Sequence, residues 1–198
     1  MESEARRMGS RRVRRAAAGL LLVVLATASS GVSGEAKAPP VLHFGGADYL
    51  HRWSKAGQHE FTPKGQEDLD HWKDMVTLDV HEQVRDGDQL AAVATEVVAR
   101  YQAAGKILKT DSKPRTPAHP AEHFAAAVLV DPRFLEAAFA RFALVEGRGV
   151  VAVYSHRVYG SKAGPEMAAW MDQHGAESER VLMAWAGTPP LDELRDLK

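Results

Sequence analysis

The stretch AAFARFALVEGRGVVAVYSHRVY, residues 137–159, decides the fold. Ala137, Phe139, Arg141, Ala143 and Val145 alternate with their neighbours. Glu146, Gly147, Arg148 and Gly149 then make a turn, and residues 150–159 return as a run rich in valine and tyrosine. Period-two alternation on both sides of a glycine-bearing turn predicts an antiparallel hairpin.

Outward from this hairpin, residues 122–130 leave two readings open: their alanines favour helix, while the tail of the segment and the adjacent hairpin favour strand. Pro114, Pro117 and Pro120 exclude regular structure from 113–120, and 107–110 is a candidate strand. Residues 88–105 carry the clearest helical pattern, with Leu90, Val93, Ala94, Val97, Val98, Tyr101 and Ala104 on one stripe. Asp88 is the expected cap and Gly105 the expected left-handed stop. In 72–81, Val76, Leu78 and Val80 alternate with Thr77, Asp79 and His81, a half-buried strand. A shorter strand at 59–63 stops at Pro63, and the apolar segments 41–44 and 49–53 have no assigned state. Downstream, Gly164-Pro165 opens a helix that runs to His174 and exits at Gly175. A second covers 177–185, and Pro189-Pro190 ends it.

Strands, one helix, more strands and C-terminal helices at 165–186 predict an α+β domain over 41–198, an antiparallel sheet with helices packed beside it. The order over 60–185 (a strand pair, the helix at 88–105, a meander ending at Tyr159, a closing helix) resembles PsbP-like α-β-α sandwich domains. The resemblance implies a fold and carries over no site.

Residues 1–34 read as a secretory signal. Arg6, Arg7, Arg11, Arg12, Arg14 and Arg15 precede an uncharged run of 13 residues at 16–28, followed by small residues. A spanning helix needs about 20 apolar residues, so cleavage after Ala28 or Gly34 is expected, with a retained membrane anchor as the alternative. Ser10-Arg11-Arg12 admits a twin-arginine route, although Arg14 and Arg15 sit where that signal turns apolar. Residues 35–40, ending in Pro39-Pro40, are the expected linker. The expected destination is the periplasm or the exterior of a bacterial cell.

The chain has 25 basic and 26 acidic side chains. Six arginines and two glutamates lie in 1–28, so the remainder carries 19 and 24, a net of −5. Such a domain has no general electrostatic attraction for nucleic acid or anionic membranes. The absence of cysteine excludes thiol catalysis, thiolate zinc sites and disulfide exchange.

Among the nine histidines, His119-Pro120-Ala121-Glu122-His123 matches the letters of inverted zinc peptidases. That chemistry needs both histidines on one helical face, which Pro117 and Pro120 oppose, so a proline-rich loop edge is expected. His43, His51 and His59 recur every eight residues, and His71 and His81 lie ten apart. They read as exposed loop histidines, with weak transition-metal binding as the lesser alternative. Tyr154, Ser155, His156, Arg157, Val158 and Tyr159 form the densest polar cluster on an expected strand. Alternation separates Ser155, Arg157 and Tyr159 from Tyr154, His156 and Val158, so Ser155 and His156 form no dyad. One set is expected beneath the C-terminal helix. The other is expected to line a groove where Arg157 pairs with an acid such as Glu136 or Asp172, or with a bound anion. Trp53, Trp72, Trp170 and Trp185 are read as core, with a carbohydrate- or peptide-stacking platform as the lesser alternative.

The sequence thus points to an exported, non-catalytic binding or accessory domain without a cofactor, its partner a protein or small molecule and its candidate ligand residues Arg157, Ser155, Tyr159 and His156. The alternative is a metal-dependent hydrolase using His119, Glu122 and His123.

Overall fold

The computed structural model describes residues 39–197 apart from Ala118; the expected signal at 1–34 and the linker before Pro39 lie outside them. Strands β1 (Val41–Phe44), β2 (Ala47–Lys55), β3 (Gln58–Pro63) and β4 (Asp74–His81) form one meander. Helix α1 (Gly87–Ala104) leads into a second: β5 (Gly105–Lys113), β6 (Glu122–Val130), β7 (Phe134–Val145) and β8 (Arg148–Tyr159). Helices α2 (Ala163–Ala184) and α3 (Leu191–Arg195) follow. All pairings are antiparallel, in the order β1-β2-β3-β4-β8-β7-β6-β5, so the two meanders meet at a single β4–β8 seam. The architecture is α+β, as the patterning predicts.

The hairpin of β7 and β8 is in register from Phe134↔Tyr159 to Val145↔Arg148. Its turn is tighter than the four residues expected. Only Glu146 and Gly147 form it, both at positive φ (48° and 70°), the two-residue geometry that matches strand twist. The ambiguous segment 122–130 is strand β6, bonded on both edges to β5 and β7. Pairing on two sides outweighs the helical preference of its alanines, which pack as small, buried residues between β5 and β7.

Helix α1 corrects two expectations at its ends. The cap is Asp86, whose Oδ1 accepts from the Gln89 N–H at 2.9 Å; Asp88 lies in the first turn. Gly105 is no left-handed stop. Its φ of 179° is extended, and it enters β5 directly, pairing with Leu129. A Cβ there would lie 2.1 Å from the Val128 carbonyl oxygen, so glycine is required by close approach to a neighbouring strand. The stripe is otherwise as expected, with Leu90, Ala94 and Val97 buried and Ala104 left exposed.

The expected pair of C-terminal helices is one continuous helix, α2, which passes through Gly175. Met167, Gly175, Ser178 and Leu182 fall on its buried stripe, so burial of that face overrides the low helix propensity of glycine. Pro190 stands just before α3, which the sequence pattern did not suggest. Its Leu191 and Leu194 are buried, and Asp192 pairs at 3.2 Å with the nearly buried Arg148.

Side-chain alternation divides the core between the two faces of the sheet. On one face, Phe61, Leu78, Phe139 and Ala152 pack with Met167, Leu182, Leu191 and Leu194. On the other, Ala125, Ala140, Phe142 and Val151 pack with Leu90, Ala94 and Val97. Helix α1 covers β5, β6 and β7, whereas α2 lies on β7 and β8 of the opposite face. The α1 face of β8, β4 and β3 is therefore open beyond the helix. No helix of the described residues is long and apolar enough to cross a membrane.

Candidate functional site

The open part of the α1 face is a groove of about 420 Å³, floored by β3, β4 and β8 and walled by the last turns of α1. Strand alternation puts Ser155 and Arg157 on this floor, beside Thr77 and Asp79 of β4 and Glu60 of β3. Arg157 is fixed on several sides. Its Nε donates to Glu136 Oε2 at 2.7 Å, the acid directly across the β7–β8 ladder. Its guanidinium carbon lies 3.8 Å from the ring centroids of both Trp72 and Phe134. Cation–π contact and a charge-assisted hydrogen bond offset the desolvation of a half-buried guanidinium. Tyr159 supports the same corner, donating to the Trp72 carbonyl at 2.7 Å and meeting Phe134 edge-on. Asp172, the other acid proposed for Arg157, lies on α2, the helix of the opposite face.

The groove is acid-leaning, with Glu60, Asp79 and Glu136 set against Arg100 and Arg157. Burial pushes the Glu60 carboxyl above its ordinary range, against the hydrogen bond from Gln58 and the charge of Arg157. Burial also raises the Tyr101 phenol, assisted by the charge of Glu136, so it stays protonated and available as a donor. Met75, Val97, Val151 and Val153 supply apolar surface between these groups.

His156 belongs to the other face. Its Nδ1 donates to Asp74 Oδ1 at 2.8 Å across the seam, and its ring stacks on Trp170 at 4.1 Å and 4°. Tyr154 donates to the same oxygen at 3.1 Å. Burial raises the Asp74 carboxyl, but the hydrogen bonds and charge from His156, with Gln66 and Tyr154, outweigh it and leave the group below its ordinary range. These residues border a second pocket, of about 630 Å³, between α2 and the Gly45-Gly46 turn. The four candidate residues therefore form no single site: Ser155, Arg157 and Tyr159 share one face, and His156 faces the other.

The peptidase-like letters are also split. His119 closes a turn with Thr116, and Glu122 and His123 are successive residues of a strand rather than of a helix. Glu122 pairs in bidentate fashion with Arg141 on the α2 face, while His123 Nδ1 lies 2.8 Å from Ser112 Oγ. Among the described residues, no group of three or more His, Asp and Glu side chains is placed to hold a metal ion. The eight-residue histidines are not loop residues either. His43, His51 and His59 lie on strands, and His59 is buried. Trp72 is core as expected, whereas Trp53 is exposed.

No protein-family model matches the chain, and no curated protein matches it. Solved structures of similar architecture include the Ran-binding protein Mog1p of Saccharomyces cerevisiae, with 11% identity and a TM-score of 0.45 over 69% of this chain and 84% of that one. Another is a Pseudomonas aeruginosa protein of unknown function described as a putative regulator, with 9% identity and a TM-score of 0.44 over 78% and 100%. Human STARD10 superposes more loosely, with 8% identity and a TM-score of 0.31 over 74% and 73%. At these values, no ligand, partner or residue role passes from them to this chain.

Proposed function

We propose that this chain is an exported binding domain whose ligand occupies the groove on the α1 face. The observation that carries this is the groove floored by β3, β4 and β8, which neither long helix covers, with Ser155 buried in its floor and Arg157 already immobilised by Glu136, Trp72 and Phe134. A side chain held in place before binding loses little entropy when a ligand arrives. An excess of carboxylates beside apolar surface suits a small ligand with an apolar body and hydrogen-bond donors. Export rests on the six arginines and short apolar run of 1–34. Kinship with PsbP-like domains is part of the same proposal and rests on element order.

A fragment screen read by amide chemical shifts tests the groove. Ligands are expected to move Thr77, Tyr101 and Ser155 together, and Thr77→Tyr is expected to abolish binding with the melting temperature held. Hits that map elsewhere or survive Thr77→Tyr overturn the assignment. Export is checked by fusing residues 1–40 to a reporter active only outside the cytoplasm, with cleavage near Ala28 or Gly34 expected by mass; full-length protein confined to the cytosol refutes it.

A further inference from the structure

Outside that groove, on the sheet face that carries Phe61 and Leu78, the Ser54 hydroxyl lies between two imidazoles. Its Oγ is 2.7 Å from His51 Nε2 and 2.7 Å from His59 Nδ1. A hydroxyl has one proton, so it donates to one ring and accepts from the other. In either arrangement, an imidazole lone pair is aimed at the Ser54 proton.

This juxtaposition depends on an irregularity of β2. Three residues apart on a regular strand, His51 and Ser54 would point to opposite faces. The β2–β3 register slips between His51 and Trp53, and that bulge turns both side chains toward His59, the cross-strand partner of Ser54. Burial lowers both imidazoles from their ordinary value. The charge of Arg52 adds to this for His51, against a hydrogen bond to the Trp53 backbone. For His59, the neighbouring His51 adds to it, against the charge of Asp79. Both rings are therefore mainly in the base form at neutral pH. Ser54 and His59 also line a cavity of about 670 Å³, whose apolar wall includes Val80, Leu191 and Leu197.

We propose that Ser54 is a nucleophile toward small carboxylic esters, with the flanking histidines as its base. Ser54 Oγ attacks the ester carbonyl carbon, and its proton passes to the accepting imidazole nitrogen. Collapse breaks the bond to the leaving alkoxide, which takes that proton and departs as the alcohol. Water then attacks the acyl-serine, giving its proton to the same imidazole. Expulsion of Ser54 Oγ, which recovers the proton, releases the carboxylic acid. Val80, Leu191 and Leu197 receive the apolar part of the ester. The activity goes beyond the binding proposal and uses a different cavity, so failure of either leaves the other standing.

Diisopropyl fluorophosphate and p-nitrophenyl acetate test it on the purified protein. One diisopropylphosphoryl group per chain is expected on Ser54 by tandem mass spectrometry, formed at least tenfold faster than in the heat-unfolded chain. Ser54→Ala should reduce ester turnover to the level of free imidazole. Substitution by glutamine at whichever histidine accepts the proton should slow it by about 10²-fold or more. Adducts on other residues, labelling no faster than in the unfolded chain, or wild-type turnover by folded Ser54→Ala overturns the proposal. Site mapping on the wild type decides the matter if Ser54→Ala does not fold.

Discussion

Glu136 and Arg157 retain only 14% and 17% of their side-chain exposure, and each is the other's ionic partner at 2.7 Å. Glu136→Gln leaves a half-buried guanidinium without its counter-charge, and a loss of about 2–4 kcal/mol in urea unfolding is expected. Removing both charges with apolar replacements should recover part of that loss, because the desolvation cost of both groups then disappears. A cost below about 0.5 kcal/mol for Glu136→Gln would mean that the pair does not hold Arg157 in place. His59 gives a pH dependence of definite sign. Its folded pKa lies below the ordinary 6.5, so between the two values the unfolded chain binds more protons. Its contribution is full above about pH 6.5 and is lost as pH falls from there toward the depressed folded value. His59→Asn should flatten the stability profile in that window, measured by denaturant titration at several pH values; an unchanged slope would show that His59 is not its source.

At the scale of elements, α1 offers the cleanest contrast. Val97 is 6% exposed on the buried stripe, while the adjacent Glu96 faces solvent. Val97→Asp should cost about 3 kcal/mol or more, and Glu96→Gln no more than about 0.5 kcal/mol. Equal losses in calorimetry would misplace the face. This helix was legible in the sequence because its stripe repeats within a single element. The Arg157–Glu136 pair was only partly legible: Glu136 stood beside Asp172 as a candidate, and the expected four-residue turn would have set Arg157 opposite Ala138, so the register needed the two-residue turn that the structure shows. His156–Asp74 was hidden because its partners lie 82 residues apart on strands whose pairing no local pattern specifies. Ser54–His51 was hidden because a bulge at Arg52 reverses the parity on which strand reading depends. The continuous α2 was misread because glycine signals a helix end locally, while packing against the sheet is a tertiary effect.

For the whole molecule, the β4–β8 seam joins the two meanders, and strand partners along it belong to the early and late parts of the chain. Val76, Leu78 and Val80 occupy β4, which remains an unpaired sheet edge until β8 is available. During synthesis, half of this sheet therefore waits with an open apolar border that can recruit a wrong strand. A chain cut before Arg148 should scatter more light and leave a larger insoluble fraction than one that runs through Tyr159, which lacks the α2 cover on one face but has the seam closed. Equal solubility of the two would locate the vulnerable border elsewhere. Time, then, is a hazard written into the strand order: the interval between the arrival of residue 81 and residue 148 is when this protein most needs a chaperone or rapid delivery of its remaining length.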